Sequence, residues 1–178
     1  MLLSSQHIHS GRVIRVEQEL VRFPDGSTGI LDMVRHPGAA AIVPMLDPLS
    51  DPDPRVVLVR QFRHAADGFI WEIPAGTLSP GETPDDCARR ELREEAGYSA
   101  GRLDLLTSIL TAPGFTDESI HLYLATGLSP CETHRDQDEF MAVHEFAWSA
   151  IGRMIRHREI RDGKSLAALM FVNSFLRA

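Results

Sequence analysis

The chain contains 178 residues, of which 43% are hydrophobic and 24% are charged, and this composition is typical of a folded globular protein. Its formal net charge of −7 argues against nucleic acid or an anionic membrane as a partner, because both require a basic surface. The two cysteines, Cys87 and Cys131, lie far apart and form no CxxC pair, so neither a disulfide framework nor a structural zinc site is expected.

No targeting or membrane segment is recognisable in the sequence. Residues 1–13 are too polar for a signal peptide, and no apolar run approaches the roughly 18–20 residues of a membrane helix. We therefore predict a cytoplasmic protein.

The first part of the chain is predicted to form a small antiparallel sheet. Ile8–Val16 and Glu19–Phe23 carry β-branched residues in loose alternation, and Ile30–Val34 has the pattern of a return strand. Residues 23–27, with the sequence Phe-Pro-Asp-Gly-Ser, predict the turn before that strand, because proline presets φ and glycine tolerates positive φ.

Two apolar runs of strand length follow, at Gly38–Met45 and Arg55–Gln61. The segment between them, Asp47–Pro54, contains three aspartates, a feature of some calcium sites, but it lacks the glycine and the distal glutamate of a calcium-binding loop. Its three prolines favour an exposed hairpin connection.

The clearest helix is predicted from Thr83 to Ala96. Thr83 is a suitable N-cap, Pro84 suits the first helical position, and Asp86 stands where a capping box requires an acidic group. Gly97 is a natural C-terminal stop. Strands are then predicted at Leu103–Leu110, Ile120–Ala125 and Met141–Trp148, and helices at Ser149–His157 and Lys164–Leu176.

Three glutamates share one side of this helix. Glu91, Glu94 and Glu95 stand at positions i, i+3 and i+4, so they occupy one arc that flanks the apolar stripe. Nearby arginines offer one interpretation, a set of surface ion pairs, and a solvated acidic face is a second. The third is a site for a hard cation, since Mg²⁺ prefers carboxylate oxygens and bridges to phosphates.

The spacing around the helix favours the cation site. Residues 76–98 read GTLSPGETPDDCARRELREEAGY, which is similar to the Nudix box, GX5EX7REUXEEXGU, at every fixed position. The last hydrophobic slot holds Tyr98, where an aliphatic residue is commoner. In this pattern Arg90 is predicted to orient a carboxylate, and Glu82 either pairs with it or serves as an N-terminal helix charge.

Two segments outside the box extend the resemblance. RQFRHAADGFIWEIPAG at 60–76 and TAPGFTDESIHLYLA at 111–125 resemble ADP-ribose pyrophosphatases and related nucleoside diphosphate sugar hydrolases. Pro113 stands at the position that marks ADP-ribose hydrolases in this family, although a turn proline in an ordinary Pro-Gly pair is the alternative. The resemblance implies an α/β/α sandwich with a mixed sheet at 37–178, and an N-terminal antiparallel sheet at 1–36 that is exchanged within a homodimer.

The resemblance also implies a metal site and its cofactor. Glu91 and Glu95 would be the main ligands of Mg²⁺, with Mn²⁺ as a possible substitute, while Glu94 and the carbonyl of Ala75 would assist. Together with Arg90, Glu94 and Glu95 are the catalytic residues expected in the box.

Several residues before the box are implied in substrate binding. Arg60 and Arg63 would contact the nucleotide, because guanidinium suits phosphate and can stack on a base, although surface ion pairs are the alternative. Glu72 would lie near the metal or structure the turn. Trp71 is either an adenine neighbour or, as we prefer, a core residue.

The implied reaction is Mg²⁺-dependent hydrolysis of a small nucleotide, most simply ADP-ribose, to AMP and ribose 5-phosphate. Hydrolysis of another nucleoside diphosphate sugar such as GDP-mannose is the alternative within this class, and a non-catalytic nucleotide sensor is a second. The catalytic base is expected beyond the box, at Glu139, with Asp136 and Asp138 as alternatives. This acidic segment can also be read as a solvated loop without a catalytic part.

Overall fold

The computed structural model describes residues 1–132 and 141–177, and within them the chain forms three sheets and three α-helices. The strands are β1 Leu2–Ser10, β2 Arg15–Arg22, β3 Thr28–Arg35, β4 Ala39–Pro44, β5 Arg55–Arg63, β6 Gly68–Glu72, β7 Ala75–Thr77, β8 Tyr98–Leu110, β9 Ser119–Pro130 and β10 Met141–Ala147. The helices are α1 Pro84–Glu94, α2 Trp148–Arg156 and α3 Gly163–Phe175. None of these helices is long and apolar enough to span a membrane.

The main body contains two sheets. The larger has the order β7-β4-β9-β8, in which β4 and β9 run parallel while the other neighbours run antiparallel. The smaller has the order β10-β5-β6 and is antiparallel throughout. The predicted mixed sheet is therefore confirmed.

Strand β4 separates two hydrophobic cores. Alternate residues of a strand point to opposite faces, and Ala40 and Ile42 pack with the apolar side chains of α1. Ala41 and Val43 pack on the other side with α2 and α3. Helices therefore cover both faces of this central strand, which is the arrangement expected of an α/β/α sandwich.

The N-terminal sheet has the order β1-β2-β3 and is antiparallel, as predicted. The predicted strand Ile8–Val16 is wrong in its bounds, because the chain turns between β1 and β2 and the amide of Gly11 donates to the carbonyl of Ile14 at 2.8 Å. The predicted turn at 23–27 is confirmed, and the amide of Phe23 donates to the carbonyl of Ser27 at 2.8 Å.

The connection Asp47–Pro54 does not join a regular hairpin. Strands β4 and β5 belong to different sheets, and an isolated bridge from Met45 to Val56 is the pairing between them at this end. The aspartates have protein partners: Asp47 accepts from Arg55, and Asp53 accepts from the amide of Ser149 at 2.7 Å. These contacts give two of the three aspartates of this segment partners within the protein.

Candidate active site

Helix α1 begins as its sequence predicts. The hydroxyl of Thr83 accepts a hydrogen bond from the amide of Asp86 at 3.2 Å, which satisfies one of the unpaired amides of the first turn. Regular helix ends at Glu94, two residues before the predicted end. Gly97 then adopts a φ of 76°, a left-handed conformation in which glycine avoids the strain of a Cβ atom.

The acidic side of α1 is more buried than its position beside the apolar stripe suggests. Glu95 is 2% exposed and Glu91 is 7% exposed, whereas the Glu94 side chain is 37% exposed. Burial of a carboxylate is costly unless it is paired or binds a cation, so the first two positions need a compensating partner. The Ala75 amide supplies part of it by donating to Oε2 of Glu95 at 2.9 Å.

Gly76 is required by the close approach of Glu91. A Cβ atom at position 76 would lie 1.7 Å from Oε1 of Glu91, a distance that no side chain can occupy. The Glu91 carboxylate therefore packs directly against the backbone of the turn from Pro74 to Gly76. We call this turn the cradle of Glu91. This contact gives a physical reason for the first glycine of the box.

Arg90 donates hydrogen bonds to three carboxylates of the box. Its guanidinium donates to both oxygens of Glu82, at 2.8 and 3.0 Å, and Nη1 donates to Glu91 and Glu94. The predicted pairing of Arg90 with Glu82 is therefore present. These hydrogen bonds from Arg90 lower the pKa of Glu82 to about 2.

The oxygen atoms of the box carboxylates suit a hard cation, but their side chains are not already arranged around a metal position. Among residues 1–132 and 141–177, no three acidic, histidine or cysteine side chains already converge at distances suited to a metal ion. The reason is visible in the hydrogen bonds, because Arg90 bonds Glu91 and Glu94 while Glu95 accepts from Ala75. Two buried carboxylates beside a backbone turn nevertheless supply the hard oxygen donors that Mg²⁺ prefers.

A cavity of about 710 Å³ lies beside this turn. It is lined by Ala39 and Ala75–Thr77 from strands β4 and β7, by residues of β8 and β9 with the loop between them, by Arg63 of β5, and by Asp162–Lys164 at the start of α3. A volume of this size is in the range of pockets that bind small molecules. The backbone turn that supports the acidic carboxylates thus also forms part of the cavity wall.

Glu72 is the buried anchor of two cationic side chains at the cavity. It is 2% exposed, and its two oxygens accept from Nε and Nη2 of Arg63, both at 2.8 Å. The ammonium group of Lys164 donates to it at 2.6 Å. Burial alone would raise the pKa of Glu72, but the hydrogen bonds from Arg63 and the charge of Lys164 lower it overall. Glu72 is therefore ionised at neutral pH.

The other predicted site residues lie in different surroundings. Arg60 stacks over the ring of Phe69 at 5.1 Å and is absent from the cavity lining, whereas Arg63, three residues later, lines it. Pro113 lies in the connection between β8 and β9. Two other residues of this connection, Thr111 and Glu118, line the cavity. Trp71 packs against the core, in agreement with our preferred interpretation.

Other predicted residues fall outside the described part of the chain. Glu139 and its alternatives Asp136 and Asp138 lie in residues 133–140, so the structure does not bear on the base.

Lys164 is one of three charged cavity residues that sequence reasoning missed, the others being Glu118 and Asp162. A signal was available, because Lys164 is the only lysine among the 18 lysines and arginines of the chain. Its position at the start of a predicted helix gave no indication that it would meet Glu72, 92 residues earlier.

Comparisons with known proteins agree with this architecture. The model of the NUDIX domain matches residues 35–169. An ADP-ribose pyrophosphatase of Bacillus subtilis strain 168 is 38% identical over 172 residues, covering 96% of this chain and 90% of that protein. A methanol dehydrogenase activator of Bacillus methanolicus has the same identity and coverage. A GDP-mannose pyrophosphatase of Klebsiella pneumoniae is 35% identical over 128 residues, covering 67% of this chain and 64% of that protein.

A solved structure agrees with the fold. The crystal structure of an ADP compounds hydrolase superposes with a TM-score of 0.84 at 21% identity, over 100% of this chain and 96% of that chain. Identity this low speaks for the fold alone. The match to the family model spans most of the chain, and the relatives extend it over almost the whole length. The chain belongs to the NUDIX family.

Proposed function

We propose that this protein hydrolyses the pyrophosphate bond of ADP-ribose and releases AMP and ribose 5-phosphate in a reaction that depends on Mg²⁺. The observation that carries this proposal is the pair of buried carboxylates, Glu91 and Glu95, resting on the Ala75–Gly76 turn beside the cavity. The ADP-ribose pyrophosphatase from Bacillus subtilis supports the substrate. Hydrolysis of an acid anhydride is the chemistry common to the pyrophosphatases among the relatives.

Glu91 and Glu95 hold the cation, assisted by Glu94 and the carbonyl of Ala75. When bound, Mg²⁺ neutralises the diphosphate and makes a water molecule more acidic, and Mn²⁺ can replace it. The Ala75 amide fixes the Glu95 carboxylate by its hydrogen bond. Arg90 holds Glu91 and Glu94 through Nη1 and thereby keeps these two like charges close together before the cation binds.

Arg63 contacts the phosphates from its position at the cavity, and its fork is kept in orientation by Glu72. Arg60 and Pro113 contribute to the substrate site from outside the cavity lining. Glu139 acts as the base that orients the attacking water, with Asp136 and Asp138 as the alternatives. Glu139→Gln is expected to slow turnover while leaving metal affinity largely unchanged, and an unaltered rate would move the base to another residue.

We propose in addition that residues 1–36 form a dimerisation element, exchanged between two cytoplasmic subunits, and that residues 37–178 form the catalytic domain. The cross-strand partners Leu20 and Ile30 support this proposal, because both are exposed on the N-terminal sheet. Sedimentation should show a dimer for the wild type and a shift toward monomer for Leu20→Lys with Ile30→Lys. A monomeric wild type would contradict the dimer.

A panel of substrates tests the proposed reaction most directly. The purified protein is incubated with Mg²⁺ and with ADP-ribose, GDP-mannose or other nucleotide sugars, and the phosphate-containing products are followed. We expect turnover of ADP-ribose to exceed that of the others. The reverse order would favour a GDP-mannose pyrophosphatase, the activity in the name of the Klebsiella relative. No turnover with any divalent cation would favour a nucleotide sensor.

A further inference from the structure

A groove separate from the active-site cavity lies between helices α2 and α3. It encloses about 340 Å³ and is lined mainly by apolar side chains; the lining residues are Trp148, Ser149, Ile151, Gly152, Ile155, Leu169, Met170 and Asn173. In the described part of the chain, the groove shares no lining residue with the active-site cavity. A ligand bound in the groove would therefore not need to displace the substrate.

Helix α3, which forms one wall of the groove, is apolar on every side. Leu166–Val172 is an uninterrupted apolar run, and at about 100° per residue it passes round the whole helix. A surface helix normally keeps one side polar, and a helix that is apolar all round is normally covered all round. Ala168 and Leu169 are buried in a core, but Met170 is 47% exposed at the groove. This part of α3 therefore has the character of a surface that a partner covers.

Gly152 keeps the opposite wall of the groove open. It stands in the middle of α2, where glycine is less favourable than alanine by about 1 kcal/mol. An added Cβ atom would meet no atom within 4 Å beyond its chain neighbours and the backbone of its own helix, and its φ is not positive. Neither packing nor backbone conformation in the described structure therefore requires glycine at this position. What glycine provides is room, because a side chain here would extend into the groove.

Two arginines stand beside the groove. Arg153 and Arg156 follow the groove residues Ser149 and Gly152 by four positions, so each lies one turn further along the same side of α2. Both arginines are exposed, and neither guanidinium forms a hydrogen bond or an ion pair with residues 1–132 or 141–177. No acidic side chain among those residues lines the groove. In a protein with a net charge of −7, these guanidinium groups give the groove a local positive rim.

We propose that this groove binds an acidic amphipathic helix of another protein. The apolar side of that helix fills the groove and covers Met170, and its carboxylates pair with Arg153 and Arg156. Helix α2 has nine residues and is about 13 Å long, which matches about two turns of a partner helix.

A second copy of this chain fits the groove less well than a different protein. Helices α2 and α3 contain no acidic residue. Helix α1 is acidic, but its apolar side already packs in a core and its carboxylates belong to the box. The described helices of the chain therefore present no free acidic amphipathic side to a neighbouring copy.

A fluorescent peptide tests this inference by anisotropy, without substrate or metal. The probe is a synthetic amphipathic helix with leucine on one side and glutamate on its flanks, and the matched peptide has glutamine in place of glutamate. The wild type should bind the acidic peptide about tenfold more tightly, because the glutamine peptide loses the charge-assisted hydrogen bonds. Arg153→Gln with Arg156→Gln should abolish that preference. Equal affinity of the wild type for both peptides, or no binding of the acidic one, would overturn the inference.

Gly152→Gln tests the groove itself. The glutamine side chain occupies the space that glycine leaves, adds no charge and suits a helix. It should weaken binding of both peptides about tenfold, as expected when one buried apolar anchor is displaced, without lowering the free energy of unfolding. Arg22→Gln with Arg102→Gln removes the same charge from two exposed arginines elsewhere and should leave both affinities unchanged. An equal loss in this control would mean that net charge, and not the groove, attracts the peptide, which would refute the proposal.

Two other occupants would give different results. If the groove bound a second copy of the chain, Gly152→Gln would change the sedimentation of the protein alone. If it bound an anionic membrane, phosphatidylserine vesicles would retain the wild type and release the variant that lacks both groove arginines. Either result would count against a partner helix. Because the groove and the cavity share no lining residue, a failure to cleave ADP-ribose would refute only the proposed function.

Discussion

The box helix and the N-terminal sheet are attached to the rest of the molecule in different ways. Helix α1 buries Cys87, Ala88 and Leu92 in a core, and its carboxylates rest on the neighbouring turn. Strand β1 is exposed along its whole length. The difference indicates that the box helix is held in place by the packing of its apolar side chains in a core. The N-terminal sheet depends more on a small number of polar contacts for its attachment to the rest of the molecule.

Those polar contacts lie at the end of β3. Arg35 pairs with Glu17 and Glu19 of the same sheet and with Asp117 of the β8–β9 loop at 3.1 Å. The amide of Val34 donates to the carbonyl of Phe115 at 2.7 Å. Substitutions in the box should therefore alter chemistry or core packing, and substitutions around Arg35 should alter docking of the sheet.

The largest effect is expected in the box, from Glu95→Gln. The amide oxygen of glutamine can still accept from the Ala75 amide, so the fold should be retained while a charged ligand of the cation is lost. Steady-state rates with ADP-ribose and Mg²⁺ should fall about a hundredfold or more. Glu94→Gln is the matched control on the same helix, and its effect should be smaller because Glu94 is more exposed. Equal effects of the two substitutions would contradict the assignment.

Gly76→Ala should disturb the box through sterics alone. Its new methyl group would collide with the Glu91 carboxylate, which must then leave its cradle. We expect the free energy of unfolding to fall by about 1–3 kcal/mol in urea titrations, together with a loss of activity. Gly152→Ala in α2 makes the same chemical change where the new methyl group would meet no atom within 4 Å beyond its chain neighbours and the backbone of its own helix, so it should be neutral or slightly stabilising. Comparable losses in both variants would rule out the cradle as the cause.

Arg35→Met tests the docking of the N-terminal sheet. It leaves the buried carboxylate of Glu19 without its arginine and removes the link to Asp117, at a cost of about 1 kcal/mol or more. Hydrogen exchange should quicken at the amides of Val34 and Asp117 while α1 stays protected. The control is Arg102→Met, which breaks an exposed pair with Asp104. Unchanged exchange at Val34 would show that other contacts hold the sheet.

The smallest effect concerns acid stability within the box. The folded pKa of Glu82, about 2, lies below the ordinary value of 4.5, so its stabilisation is complete above pH 4.5 and is lost as the pH falls toward 2. Glu82→Gln should flatten the pH dependence of the unfolding free energy in this window. Asp104→Asn, at an exposed ion pair, should leave that dependence almost unchanged. An unaltered slope in Glu82→Gln would contradict the lowered pKa.

The features that were predicted best from the sequence are those that depend on residues close together in the chain. Thr83 caps α1 through a contact three residues away, and the spacing of the glutamates places them on one side of the helix. The pairing of Arg90 with Glu82 was also predictable, because Glu82 directly precedes the N-cap of α1 and Arg90 lies about two turns into the helix. The resemblance to Nudix enzymes supplied the sandwich, which local patterns alone would not have given.

Long-range contacts account for what was missed. Strands β6 and β7 are short and were not assigned, although β7 carries the turn that supports Glu91. The prediction of a hairpin connection at Asp47–Pro54 was met only in part, because an isolated antiparallel bridge joins Met45 to Val56 while β4 and β5 belong to different sheets. Lys164 was missed because its partner Glu72 is distant in sequence. Each of these depends on how separate elements meet.

The most direct test of the account is binding of Mn²⁺ to the box carboxylates, measured by electron paramagnetic resonance without substrate. The wild type should bind Mn²⁺, and the double variant Glu91→Gln with Glu95→Gln should lose that binding while its circular dichroism spectrum stays that of a folded protein. Arg35→Met should bind as the wild type does. Unchanged Mn²⁺ affinity in the folded double variant would contradict the claim that these two carboxylates hold the catalytic cation.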